Sequence, residues 1–160
     1  MTARPAKNVE TRYRATHGSG RLHLMVVVAD QPSKPANAII QQLLDSGWWV
    51  FGARTRGVKY LRTGDRLCIY RTRIGVVAEA EIATPAEYKA LKVAPDPARF
   101  PWAARIKEGR SFFDRPVKID SSLRARIDAF AGKDPSASGA WFVQSSRLLT
   151  EHDFQVLVGR

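Results

Sequence analysis

Apolar positions fall into short blocks separated by Gly, Pro and charged turns. Residues 22–29 are almost unbroken apolar and rich in valine (Val26, Val27, Val28), which predicts a strand buried on both faces. Ile39, Ile40, Leu43 and Leu44 then recur at helical spacing. Ser33 and Pro35 start that helix, and Gly47 ends it. Residues 48–52 read as a second strand, and residues 53–63, polar and cationic, as a single helical turn around Val58 and Leu61. After the turn at Gly64, residues 66–71 alternate, with Leu67 and Ile69 on one face and Cys68 and Tyr70 on the other. A turn at Thr72-Arg73 leads into a strand over 74–82, making a hairpin; two turn residues would set Arg66 opposite Glu79. Glu79 and Glu81 share a strand face and read as solvated residues beside arginines rather than as paired catalytic carboxylates.

Further along, Thr84-Pro85-Ala86-Glu87 has the form of a capping box and predicts a short helix toward Leu91, broken by Pro95-Asp96-Pro97. Residues 100–108 and 116–119 read as strands, the second at a sheet edge because it begins with proline. Residues 120–131 predict one helix with Leu123, Ile127 and Phe130 on a stripe, followed by a loop over 133–139 and a last strand at 141–143. Thr150 and Asp153 cap a terminal turn that buries Phe154 and Leu157. Many short strands around a few helices, without β-α alternation, argue for an α+β fold on a curled or closed sheet.

The chain has 160 residues, 44% of them hydrophobic, enough for one domain with a real core. Residues 1–20 carry Arg4, Lys7, Arg12 and Arg14 against Glu10 alone. They read as a flexible basic arm, either gripping phosphates or simply frayed, ahead of a single domain at 21–160. No apolar run approaches the roughly 20 residues of a membrane span, and no export signal is visible, so the expectation is a cytoplasmic protein. Cys68 is the only cysteine, and His17, His23 and His152 have no ligand spacing, so no metal and no cofactor are expected. No nucleophile elbow, phosphate loop or dinucleotide fingerprint is present, and the chain reads as non-enzymatic.

Charge changes this picture most. Lys and Arg number 26 and Asp and Glu 15, a net +11, which favours a polyanionic partner and nucleic acid first. Aromatics are interleaved with the cations: Trp48, Trp49, Phe51, Tyr60 and Tyr70 stand among Arg54, Arg56, Lys59, Arg62, Arg66, Arg71 and Arg73, with Asp65 the one acid between 48 and 73. Phe100 and Trp102 lie beside Arg99 and Arg105, and Trp141 and Phe142 precede Gln144, Ser145 and Arg147. Aromatic faces stack on unpaired bases at about 1–3 kcal/mol each while cations hold phosphates. Thr55, Gln144 and Ser145 could read a base edge. Along 48–52 one alternate set must face a core and the other a groove or pocket; Trp49 and Phe51 are assigned to the pocket side. Arg54, Arg56, Lys59, Arg62, Arg71, Arg73 and Arg105 are the phosphate-binding candidates.

The order of segments resembles EVE domains. The residues that carry the likeness are Phe51-Gly52 at a strand end, Gly64-Asp65 opening a strand that closes on Tyr70, the small-residue strand at 74–82, Phe100-Pro101-Trp102 leading into a basic strand, and a C-terminal segment from Trp141 to Asp153-Phe154. It covers most of residues 21–158. EVE domains belong to the PUA-like group with the YTH readers of methylated adenine in RNA. The resemblance implies a barrel-like sheet flanked by short helices and an aromatic-walled pocket for a modified, flipped or unpaired base. A Trp usually stands in that family where Phe51 stands here, and an aromatic near Trp102 forms a second wall. The resemblance thus implies a base enclosed by Phe51, Trp49 and Trp102, with Trp141 near the rim or packed beneath. Some family members are joined to nuclease modules, and a nuclease partner here would be a separate protein. Two alternatives stay open: an enzyme acting on nucleotides or RNA through His23, His152, Cys68 or the Glu79/Glu81 pair, and an interaction domain docking an acidic protein.

Overall fold

In the computed structural model, which describes residues 20–134 and 136–159, the chain forms one strongly curled mixed sheet of seven strands with a few short helices, the α+β, PUA-like architecture expected. Its elements are β1 (His23–Val28), α1 (Ala36–Ser46), β2 (Trp48–Phe51), β3 (Arg66–Arg71), β4 (Gly75–Ile82), β5 (Glu87–Tyr88), β6 (Trp102–Ser111), α2 (Ser121–Arg124), α3 (Ala140–Val143), β7 (Arg147–Leu149) and α4 (Glu151–Leu157). The strand order is β2-β6-β4-β3-β1-β7, with β5 also on β6. β1 and β3 run parallel, and the other pairs are antiparallel. The basic arm falls, except for Gly20, outside the described residues. Among the described residues no helix is long and apolar enough to cross a membrane.

β1 is buried on both faces because it separates two cores. Leu24 and Val26 join Ile39, Ile40 and Leu43 of α1 and Leu67 and Ile69 of β3 in the main core. Met25 faces a second core with Cys68, Phe130, Phe142, Leu149, Phe154 and Leu157. α1 ends as its sequence requires, Gly47 at φ 75° donating its N–H to the Leu44 carbonyl, and the chain turns at once into β2. Gly75 is needed where β4 begins: at φ 144°, an added Cβ would lie 2.5 Å from the Val117 carbonyl oxygen.

Several expectations are corrected. The hairpin turn holds Thr72, Arg73 and Ile74, and with a bulge after Ile69 the register sets Arg66 opposite Glu81, not Glu79. Residues 84–91 form no helix; Glu87 and Tyr88 instead add an edge strand to β6. Backbone pairing with an open strand satisfied this segment where its capping box supplied only local bonds. Residues 116–119 contribute a single bridge, Val117 to Val76. The helix over 120–131 is broken in two: Asp120 caps α2, and the Asp153 carboxylate then takes the N–H groups of Asp128 and Ala129, starting a separate 3-10 turn at Asp128–Phe130. Leu123, Ile127 and Phe130 are nonetheless all buried. Residues 141–143 belong to a helical turn, and the last strand is β7, which the sequence pattern did not suggest. Glu79 and Glu81 are buried rather than solvated.

Candidate functional site

The first half of β6 is flanked by β2 on one side and β5 on the other, and their register assembles a row of aromatics. Phe51 lies opposite Trp102, and Trp102 opposite Tyr88. Residues directly opposite share a sheet face, so the three rings stand in line across three strands. Exposure rises along the row: Phe51 is 1% exposed, Trp102 is half-buried, and Tyr88 is 75% exposed. Tyr88 meets Trp102 edge-on, with ring centroids 5.5 Å apart and planes at 86°. Thr55 sits at the same end of β2. Its N–H donates to the Gly52 carbonyl, and its hydroxyl lies 3.6 Å from where a Gly52 Cβ would be, beside the Arg99 backbone that leads into Trp102. The structure therefore brings Phe51, Thr55 and Trp102 together and adds Tyr88.

Trp49 shares the face of Phe51, and both rings are sealed in the main core, Trp49 at 3% exposure. Of the four β2 residues it is Trp48, from the other alternate set, that remains half-exposed. Its ring carries the Arg105 guanidinium at 4.5 Å and the Lys89 ammonium at 5.0 Å. Trp141 stands apart on the second core, against Phe130 and Phe142, with Lys133 at 3.8 Å and Arg147 at 5.0 Å over its ring. Gln144 and Ser145 are exposed just beyond it. The predicted residues thus divide between two places. Sequence reasoning passed over Tyr88 and Lys89, whose alternation with Glu87 was a strand-like signal inside a segment assigned to a helix.

Arg54, Arg56, Lys59 and Arg62 are exposed on the loop that follows β2. That loop packs through Gly57 on Leu22 and Leu148, so it runs from the aromatic row toward β7. Arg73 is exposed at the β3–β4 turn, whereas Arg71 is half-buried and lies 3.5 Å from Asp30. Asp65, the acid within the cationic stretch, is structural: its carboxylate accepts from the N–H groups of Leu22 and Arg62, each at 2.9 Å.

The titratable candidates lie elsewhere. Glu79 accepts from Arg66 at 2.7 Å and from Arg110 at 2.6 Å, and Glu81 lies 3.2 Å from Lys107. Burial pushes the Cys68 thiol well above its ordinary range, with the Glu79 charge adding to the effect. His23 packs on Phe154 at 5.0 Å, and burial lowers its pKa to about 4. Asp128, His152 and Asp153 bring ligand-type atoms close together, but each is engaged in holding the chain. Asp153 receives two backbone N–H groups, Asp128 accepts from the Thr150 hydroxyl, and His152 Nε2 bonds the Arg126 carbonyl. Burial raises the Asp153 pKa against those two hydrogen bonds.

By sequence the chain matches no family model and no curated protein. By structure it is similar to the YTH domain-containing protein mmi1, solved in complex with RNA, at TM-score 0.54 and 8% identity over 85% of this chain and 79% of that one. A Pseudomonas putida protein solved by structural genomics matches at TM-score 0.51 and 15% identity, over 85% and 97%. The DUF55 domain of human thymocyte nuclear protein 1 matches at TM-score 0.50 and 14% identity, over 83% and 94%. At these identities the likeness establishes a shared fold.

Proposed function

We propose that this chain is a non-enzymatic nucleic-acid-binding domain that stacks an unpaired or flipped base on Trp102, between Tyr88 and the Phe51 end of β2. The observation that carries the reading is the aromatic row Phe51–Trp102–Tyr88, which grades from core to solvent in a chain of net charge +11. A half-buried ring backed by a core and fronted by an exposed one supplies a rigid stacking surface, and the base would add its own apolar area to it. The Thr55 hydroxyl is the nearby group suited to a base edge, and Arg54, Arg56, Lys59 and Arg62 hold the backbone of the strand. Trp141, Gln144 and Ser145 form a separate contact in this reading. The fold shared with a YTH domain solved with RNA supports the same partner class.

A modified base is the preferred ligand. Burying one added methyl group is worth about 0.8 kcal/mol, or about fourfold in affinity. The test is fluorescence anisotropy with labelled single-stranded DNA and RNA, with and without methylated bases, at two salt concentrations. Trp102→Ala and Tyr88→Ala should each weaken binding about tenfold, within the range for one stacked base. Parent-like binding by both variants would remove the site from this reading. Tyr88 is exposed, so its replacement leaves the fold in place.

A further inference from the structure

Tyr88 and Lys89 are consecutive residues at an edge strand, and their side chains go to opposite faces: Tyr88 to Trp102, Lys89 to Trp48. Arg105 lies opposite Trp48 in the β2–β6 register and covers the same indole. Two exposed cations are thus gathered on one half-buried ring, three residues along β6 from the base-stacking tryptophan. Among the described residues no carboxylate pairs with either, although Glu87 lies on that face. β5 pairs only with β6 among the described strands, so nothing in the sheet closes the edge between the two faces. The indole limits the freedom of two long, flexible side chains before any anion arrives, which lowers the ordering cost of binding one.

We propose that Lys89 and Arg105, held over Trp48, form a two-cation clamp for the phosphodiester backbone of a single strand that crosses the β5 edge, with its base on the Tyr88–Trp102 side and its phosphates on the Trp48 side. This rests on the nucleic-acid reading above and adds the path of the strand. A phosphate fits the clamp because it offers charge without requiring a particular base, and the clamp contains no group that accepts a hydrogen bond from one.

The experiment measures the affinity of the parent, of Lys89→Gln/Arg105→Gln, and of Arg115→Gln/Lys118→Gln as a control, on dT and dA oligonucleotides across a salt series. Arg115 and Lys118 are exposed in the loop after β6. Two lost phosphate contacts should reduce the slope of log affinity against log salt by about 1.4 in the clamp variant, the single-strand value for two neutralised charges. The loss should be the same factor on both sequences and absent from the control. An unchanged slope, an equal effect in the control, or a loss confined to one base would overturn the clamp while leaving the base site standing. Competition by poly-glutamate as strong as that by the oligonucleotide would overturn it in favour of an acidic protein partner. Failure of the parent to bind either oligonucleotide would instead defeat the nucleic-acid reading itself, and the clamp with it.

Discussion

Arg66 donates to Glu79 at 2.7 Å even though the strand register sets it opposite Glu81. The bond is diagonal, and it works because Arg110 from β6 takes the other Glu79 oxygen at 2.6 Å. One buried carboxylate thereby joins β3, β4 and β6 where the β4–β6 register shifts. Replacing it leaves Arg66, with a side chain only 14% exposed, with only the more distant Glu81 carboxylate, at 4.0 Å, as counter-charge. Glu79→Ala should cost about 3 kcal/mol, the low end for breaking a buried pair. Urea unfolding checks this; a cost below about 1 kcal/mol would mean that solvent replaces the carboxylate.

Asp65 makes a second structural claim. It bonds the N–H of Leu22, just before β1, and the N–H of Arg62, closing the turn that feeds β3. Asp65→Ala strands a buried donor and should destabilise the fold by about 2 kcal/mol. Oligonucleotide affinity per folded molecule should not change, which separates this residue from the cations around it.

His23 predicts a pH dependence. Its folded pKa, about 4, lies below the ordinary 6.5, so the unfolded chain binds the proton more readily between those values. Stability is therefore intact above pH 6.5, declines as pH falls toward 4, and is flat for this group below that. The full effect is about 3 kcal/mol. His23→Leu should remove most of that decline, as measured by denaturant midpoints at pH 7, 5.5 and 4.5. An unchanged decline would assign it to the carboxylates.

Cys68 is fully buried in the second core, where burial pushes its thiol well above the ordinary range. Iodoacetamide at pH 8 should leave the native protein unlabelled and modify it fully in denaturant, because the thiolate is the reactive form. Rapid labelling of the native protein would show that the second core opens on that timescale.

Much of the architecture was legible. Valines at 26–28, the spacing of Ile39, Ile40 and Leu43, the alternation at 66–71 and the Thr150–Asp153 cap all reappear in the structure. These are strong periods or local hydrogen bonds that do not depend on distant residues. The helix expected at 84–91 failed because its pattern was local while the unpaired side of β6 was not. The helix at 120–131 failed because Asp153, twenty-five residues from Asp128, captured its backbone. In the candidate site, Trp102 was marked by the EVE resemblance and by the cations beside it, whereas Tyr88 and Lys89 needed the β5–β6 pairing to be seen.

The amino-acid order by itself determined the sheet's main strands, its long helix and the cationic character of the chain. Only the tertiary structure decided which aromatics are open. Alternation assigns Trp48 and Phe51 to opposite faces, but exposure depends on what covers each face. Here the main core closes over Phe51 and Trp49, and β5, arriving from a segment without a strong period of its own, carries Tyr88 to the rim.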